Sequence, residues 1–151
     1  MAYFIGQSMS GGTIFYTGTT SSGLIAATQD IHLKLSWGCP KVGIVTSTDI
    51  GSGQANTVLI LSGCTGNTMI AATYCDNLTL NGSDWFLPSK DELNQLYLQK
   101  DVVGNVVEED NYWSSSQYNP ECAWIQYFRN GTQSGLGGKE QFYRVRPIKA
   151  Y

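Results

Sequence analysis

The stretch Gly82-Ser83-Asp84-Trp85-Phe86-Leu87-Pro88-Ser89-Lys90-Asp91-Glu92-Leu93 decides how the rest of the chain is read. Trp85 to Pro88 is an extended apolar entry. Ser89 follows as a natural helix N-cap, and Glu92, three residues on, completes a capping box. Leu87, just before the cap, can staple onto Leu93, while Leu93, Leu96 and Tyr97 line one side at three- and four-residue spacing. Asp91 and Glu92 sit favourably at the positive helix end. The spacing predicts a helix from Lys90 to about Leu98. Capping accounts for Ser89-Lys90-Asp91 better than a catalytic cluster does.

Upstream, Gly11 to Tyr16 (GGTIFY) and Ser22 to Ala27 (SGLIAA) read as short strands joined by a turn at Gly18 to Ser22. Residues 30–53 are irregular, with Trp37-Gly38-Cys39-Pro40 as a packed loop. Gln54 to Leu61 and Met69 to Leu78 suit helices, interrupted by Gly63 to Asn67, and Asn81-Gly82 is a turn signal. Downstream, Ala123 to Arg129 alternates like a strand, and Asn130-Gly131 signals a type I′ hairpin turn. Phe142 to Ile148 reads as the last strand, with Pro147 at an edge. The expectation is an α+β, loop-rich fold: one domain over 1–151 with two or three helices and a small antiparallel sheet.

Composition narrows the function classes. Of 151 residues, 42% are hydrophobic and only 14% charged, which argues against disorder. Net charge is −3 and the cations are scattered, so nucleic acid is not an expected partner, since phosphate neutralisation needs clustered Lys and Arg. No run approaches the roughly 20 apolar residues of a membrane span. Met1 to Gly12 lacks a basic start followed by an apolar run, so no export signal is recognised there. Cys39, Cys64, Cys75 and Cys122 form no CxxC pair, so no zinc site is expected. One disulfide among the first three and none at all both stay open. His32 is the lone histidine, and Ser114-Ser115-Ser116 has no base nearby in sequence, so the reading is not an enzyme, with no cofactor and no metal. Glu108-Glu109-Asp110 reads as a solvated acidic loop rather than a calcium site.

In order along the chain stand GGTIFY, Trp37-Gly38-Cys39, Gly51 to Thr57 (GSGQANT), Gly82 to Leu93, Tyr112 to Ser116 (YWSSS) and Tyr143 to Tyr151 (YRVRPIKAY). This pattern resembles the Lcl C-terminal-domain family, a domain of unknown function with a C-type-lectin-like fold, over nearly the whole chain from Gly11. Members occur in bacterial surface and phage proteins. Some are similar to the variable proteins of diversity-generating retroelements, whose C-terminal codons are rewritten at template adenines. The resemblance implies a C-type-lectin-like domain whose region 112–151 carries a ligand-binding face built to vary. The formylglycine-generating enzymes share that fold and use a reactive cysteine pair, but Cys75 and Cys122 lie in no matching motif.

Tyr112 to Tyr151 is rich in aromatics, Ser, Asn and Gly, the composition of antibody-type paratopes. Along Ala123 to Arg129 successive residues alternate faces. Trp124, Gln126 and Phe128 are expected to face the core, and Ile125, Tyr127 and Arg129 to be exposed. The open positions are Tyr118, Asn119, Cys122, Ile125, Tyr127, Arg129, Ser134, Leu136 and Tyr143. None is Glu, Gln, Lys, Met or Trp, residues that adenine mutation of an Asn codon cannot produce. The expectation is one contiguous patch that contacts a host or cell-surface protein or glycan. It would serve as a phage receptor-binding or surface adhesin module within a larger virion or surface assembly, at the virion surface or alternatively at the bacterial cell surface or outside the cell. A structural decoration or assembly domain is the second reading, and a formylglycine-generating-type enzyme the third.

Overall fold

A computed structural model describes residues 3–19 and 21–151, apart from the side chain of Thr19. The chain opens with β1 (Ser8–Met9), β2 (Gly12–Thr19) and β3 (Ser22–Ala27), which pair antiparallel in sequence order. A long connection then reaches α1 (Gly53–Gly63) and α2 (Ala71–Asp76). The capped segment forms α3 (Lys90–Leu98), followed by a single turn of helix, α4 (Lys100–Val103). Next come β4 (Asn111–Asn119), β5 (Cys122–Tyr127) and β6 (Gln133–Gly138), and the chain ends in β7 (Ile148–Ala150). The result is an α+β fold with two antiparallel sheets, β1-β2-β3-β7 and β4-β5-β6. The described residues form four helices and two sheets, where the sequence leads to two or three helices and one small sheet. The rings of Tyr3 and Tyr151 meet edge-on at 5.0 Å, so the two ends of the described chain lie together.

The α3 boundaries match the sequence reading. Ser89 Oγ accepts from Glu92 N at 3.2 Å, and Glu92 Oε1 accepts from Ser89 N at 2.8 Å. The box does more than cap. Glu92 is buried, and its Oε2 accepts from Gly51 N at 2.9 Å, while Ser89 Oγ donates to Asp49 O at 2.8 Å. The helix start therefore clamps the loop that leads into α1.

The first sheet is covered on both faces. Phe15, Leu24, Ala26 and Ile148 pack with Leu93, Leu96, Tyr112 and Phe128. On the opposite face, Ile14, Ile25 and Ala27 pack with Trp85, Met9 and Leu80. A third cluster joins Trp37, Ile60, Ile70, Cys75, Trp113, Ile125 and Val145. Within it Cys39 and Cys64 form a disulfide, while Cys75 and Cys122 are free.

The expected strand from Phe142 to Ile148 is mostly a set of isolated bridges, Tyr143 with Leu35 and Arg144 with Tyr112, before β7 begins at Ile148. Arg146 explains the irregularity. Its side chain is fully buried and satisfied by Asp30 and by the carbonyls of Ala27, Gly104 and Asn105, so the segment follows those partners.

Candidate ligand-binding face

The second sheet owes its shape to two turns and a bulge. Asn119 closes the β4–β5 turn, its Oδ1 accepting from Glu121 N at 2.9 Å and Cys122 N at 2.8 Å, as turn Asn residues do. The β5–β6 turn is not type I′, because only Gly131 of the Asn130-Gly131 pair takes the left-handed conformation, with φ +84°. Type I′ needs it at both positions. Tyr127 and Thr132 instead bracket a four-residue loop that carries Phe128 into the core. In the β5–β6 ladder Ala123 pairs with Gly137 and Ile125 with Ser134, so Gly135 and Leu136 together oppose Trp124. That is a β-bulge, and it re-aims the side chains around it.

The bulge and the packing overturn the expected parity of β5. Ala123 and Ile125 turn into the Trp113 cluster, and Ile125 is only 7% exposed. Trp124, expected in the core, is half-buried on the opposite face. There Lys90 Nζ stands 4.3 Å over its ring, and Tyr118 meets it edge-on at 5.4 Å. Gln126 does face inward as expected and is buried, donating to Asn94 Oδ1 at 2.8 Å and Gly131 O at 3.1 Å. The strand has interior on both sides, one core cluster and one helix. Alternation therefore separates two covered faces, not core from solvent.

The expected site residues consequently divide. Tyr118 and Leu136 are exposed, at 53% and 75%, at the end of the sheet beside the β4–β5 turn. Asn119 and Cys122 belong to that end as well, but the Asn119 side chain is spent on the turn and the Cys122 side chain is half-buried. Ser134 Oγ accepts from Leu136 N at 3.1 Å, bridging the bulge. Tyr127 is half-buried and Arg129 exposed, about 15 Å further along the strand. Arg129 forms an ion pair with Glu109 at 2.6 Å. Tyr143 is elsewhere again, its ring edge-on to Trp113 at 4.9 Å. One patch uniting all nine is therefore not what the fold builds. Ile125 is buried, and strand length separates Tyr127 and Arg129 from Tyr118.

Three residues outside the expected set complete the exposed end. Trp124, with Lys90 over its own ring, meets the Tyr118 ring from one side. Gly135 carries it from the other, since a Cβ there would run into Tyr118. A glycine opposite a tryptophan beside two hairpin turns was a signal available in the sequence, but it names a seat only once the register is known.

The neighbouring loop, Lys41 to Gly51, has no regular structure but is pinned throughout. Ile44 N donates to Gln117 Oε1 at 2.8 Å, Gln117 N to Thr46 Oγ1 at 2.7 Å, and Ser116 Oγ to Ser47 O at 2.7 Å. Asn56 holds Ser47 through both its N–H and its carbonyl. Lys139 is buried, donating to Val42 O at 2.9 Å and Gln117 Oε1 at 2.7 Å, with Nζ 4.6 Å over the Trp37 ring. Burial pushes its pKa down to about 8, against the pull of Glu121 and Cys122.

The three serines of β4 have structural partners. Ser114 Oγ donates to Trp124 O, Ser116 Oγ to Ser47 O, and Ser115 Oγ accepts from Asn56, all three serines being buried. The buried Cys75 thiol is held well above its ordinary range by burial and by the charge of Asp76. Burial likewise raises the Glu92 carboxyl, against the backbone N–H groups it accepts from. His32 lines a surface cleft with Ile31, Met69 and Tyr74. Among the described residues no three of His, Cys, Asp and Glu are grouped as a metal would need, and no helix is long and apolar enough to cross a membrane.

Against known proteins, the model of the Lcl C-terminal domain family matches residues 26–149. A solved structure of a fimbrial protein from Bacteroides ovatus is similar to this chain at a TM-score of 0.57 and 16% identity. The similarity covers 83% of this chain and 35% of that one, so this chain spans about a third of its neighbour. No curated protein matches.

Proposed function

This chain belongs to the Lcl C-terminal domain family, and we propose that it is the ligand-binding module of a surface structure, contacting its ligand through Tyr118, Trp124 and Leu136. The observation that carries the reading is the seating of Tyr118. An aromatic side chain left 53% exposed is fixed on bare Gly135 and against Trp124, on a sheet clamped by α3. Ordered exposed aromatics give large contact area at low entropy cost, and such residues dominate binding hot spots. The fold is read as C-type-lectin-like and the whole chain as one domain. The ligand is a protein or glycan on a host or cell surface, with neither nucleic acid nor the membrane interior as a partner.

The fimbrial neighbour favours the cell surface over the virion as the setting. A virion receptor-binding role, and diversification by a retroelement, remain the alternatives within this reading. A template repeat and reverse transcriptase in the neighbouring DNA would support them. The reading is one of binding, not catalysis, because the buried serines and Cys75 are committed to packing. A structural assembly role is the second reading, supported by the same neighbour.

The test is binding of the purified chain to intact cells and to an immobilised glycan panel. The Tyr118→Ala/Leu136→Ala double variant should lose binding with its melting temperature unchanged. Undiminished binding by that variant would sink the proposed face.

A further inference from the structure

A cleft lies between the bend after β3 and the segment that runs through α2. Its floor is apolar, made by Ile31, Tyr74 and Leu78, which pack on the core clusters behind them. Its rim carries His32, Thr68 and Asn77. The cleft measures about 390 Å³, within the roughly 300–1,000 Å³ of small-molecule sites. Both walls are fixed. Ile31 N donates to Val145 O at 2.9 Å, and the preceding Asp30 is held by Arg146. Ala71 N donates to Ser36 O at 2.9 Å, which ties the start of α2 to the segment after the bend. A cleft held open in this way costs little ordering when a ligand fills it.

Two features select the ligand. Elsewhere the fold spends asparagine side chains on its own backbone, as at Asn56, Asn105, Asn119 and Asn130. In this cleft the side chains of His32, Thr68, Tyr74 and Asn77 make no hydrogen bond to the rest of the described chain. All four side-chain types offer both donors and acceptors. In addition, the described residues that line the cleft include no Asp, Glu, Lys or Arg. The next cleft around the same bend holds Asp30 and Arg144, and the one beside α1 holds Asp76 and Asp84. A charged ligand would meet no counter-ion here. A wholly apolar one would strip water from four polar groups and return no hydrogen bonds. A ligand with one apolar face and a ring of hydroxyls, which donate and accept in turn, meets both demands.

We infer that this cleft binds an uncharged sugar, its apolar face on Ile31 and Tyr74 and its hydroxyls on His32, Thr68 and Asn77. The site shares no residue with the Tyr118 face and does not depend on that reading.

The test titrates glucose, galactose, mannose, N-acetylglucosamine and lactose into the isotope-labelled chain and follows its amide resonances. Glucuronic acid and N-acetylneuraminic acid are the charged controls. At least one neutral sugar should saturate at millimolar concentration and shift the signals of residues 31–32 and 68–78. Asn77→Ala and Tyr74→Phe each remove one hydrogen-bonding group and leave the packing behind it intact. Each should weaken that sugar roughly three- to tenfold with an unchanged melting temperature. The Tyr118→Ala/Leu136→Ala variant should bind it as the parent does, so failure of the Tyr118 face leaves this site standing. The inference is overturned if no neutral sugar shifts those signals, or if a charged sugar binds as tightly as the best neutral one. It is equally overturned if binding survives Asn77→Ala and Tyr74→Phe combined, or is lost in the Tyr118→Ala/Leu136→Ala variant.

Discussion

Arg146 Nε donates to Asp30 Oδ1 at 2.7 Å between side chains that are 0% and 8% exposed. The other oxygen of Asp30 accepts from the Tyr112 hydroxyl at 2.6 Å, and that hydroxyl accepts from Val107 N at 2.9 Å. The guanidinium also donates to the carbonyls of Ala27, Gly104 and Asn105. One buried cation thus ties the end of β3, the 104–107 loop, the start of β4 and the approach to β7. Removing either partner strands a buried charge, at a cost of about 3–5 kcal/mol. Arg146→Ala and Asp30→Ala should each lower the denaturant midpoint by that much, whereas Arg144→Ala, whose pair with Asp110 is partly exposed, should cost about 1 kcal/mol or less. Equal losses for Arg144→Ala and Arg146→Ala would refute the distinction.

The two glycines of β6 make a second contrast. A Cβ at Gly135 meets the ring of Tyr118, a half-exposed side chain that the added methyl would push off its seat toward solvent. A Cβ at Gly137 would lie 2.7 Å from Ala123 O and 3.0 Å from the buried Trp113 ring, neither of which can move aside. Gly135→Ala should therefore change stability by less than about 1 kcal/mol, and Gly137→Ala should cost about 1–3 kcal/mol as overpacking does. Near-ultraviolet circular dichroism should show the Tyr118–Trp124 signal lost in the first variant. Retention of that signal would mean that Gly135 is not the seat.

The tryptophans test the corrected parity. Trp113 is 0% exposed and donates from Nε1 to Leu35 O at 2.7 Å, so Trp113→Ala should cost about 3–5 kcal/mol. Trp124 is half-buried and held by one cation–π and one edge contact, each of about 1 kcal/mol. Trp124→Ala should cost about 2 kcal/mol. Thermal or urea melts order the two, and a Trp124 loss that equals the Trp113 loss restores the original parity.

Local signals carried further in this chain than alternation did. The α3 boundaries follow from Ser89 and Glu92 because a capping box is satisfied within four residues. Ser22–Ala27 is likewise a strand where glycines and a turn say it should be. β4 is not legible in the sequence because Tyr112 to Ser116 ends in three serines, a composition typical of loops. They are buried because their hydroxyls serve the 46–52 loop and the carbonyl of Trp124, a long-range use that sequence does not display. The binding face was half legible. Tyr118 and Leu136 are exposed, but the positions of Ile125 and Trp124 depend on a bulge and on a helix covering the second face of the sheet.

Lys139 gives the fold a pH dependence of a specific sign. Its folded pKa is about 8 against an ordinary 10.5, so between those values the unfolded chain binds the proton more tightly than the folded one. Stability then rises with pH. The penalty of burying the ammonium is fully present below about pH 8 and relieved as pH approaches 10.5, with an upper bound of about 3 kcal/mol from the size of the shift. The acceptors Val42 O and Gln117 Oε1 remain within reach of the neutral amine, which keeps two N–H donors. Other groups titrate in the same range, so the measurement is a difference. Urea unfolding of the parent and of Lys139→Met is followed from pH 7 to pH 10, and the parent should gain stability relative to the variant across that interval. A constant difference between the two chains would show that Lys139 stays charged in the fold. In that case the carbonyl acceptors and the Trp37 face outweigh its burial.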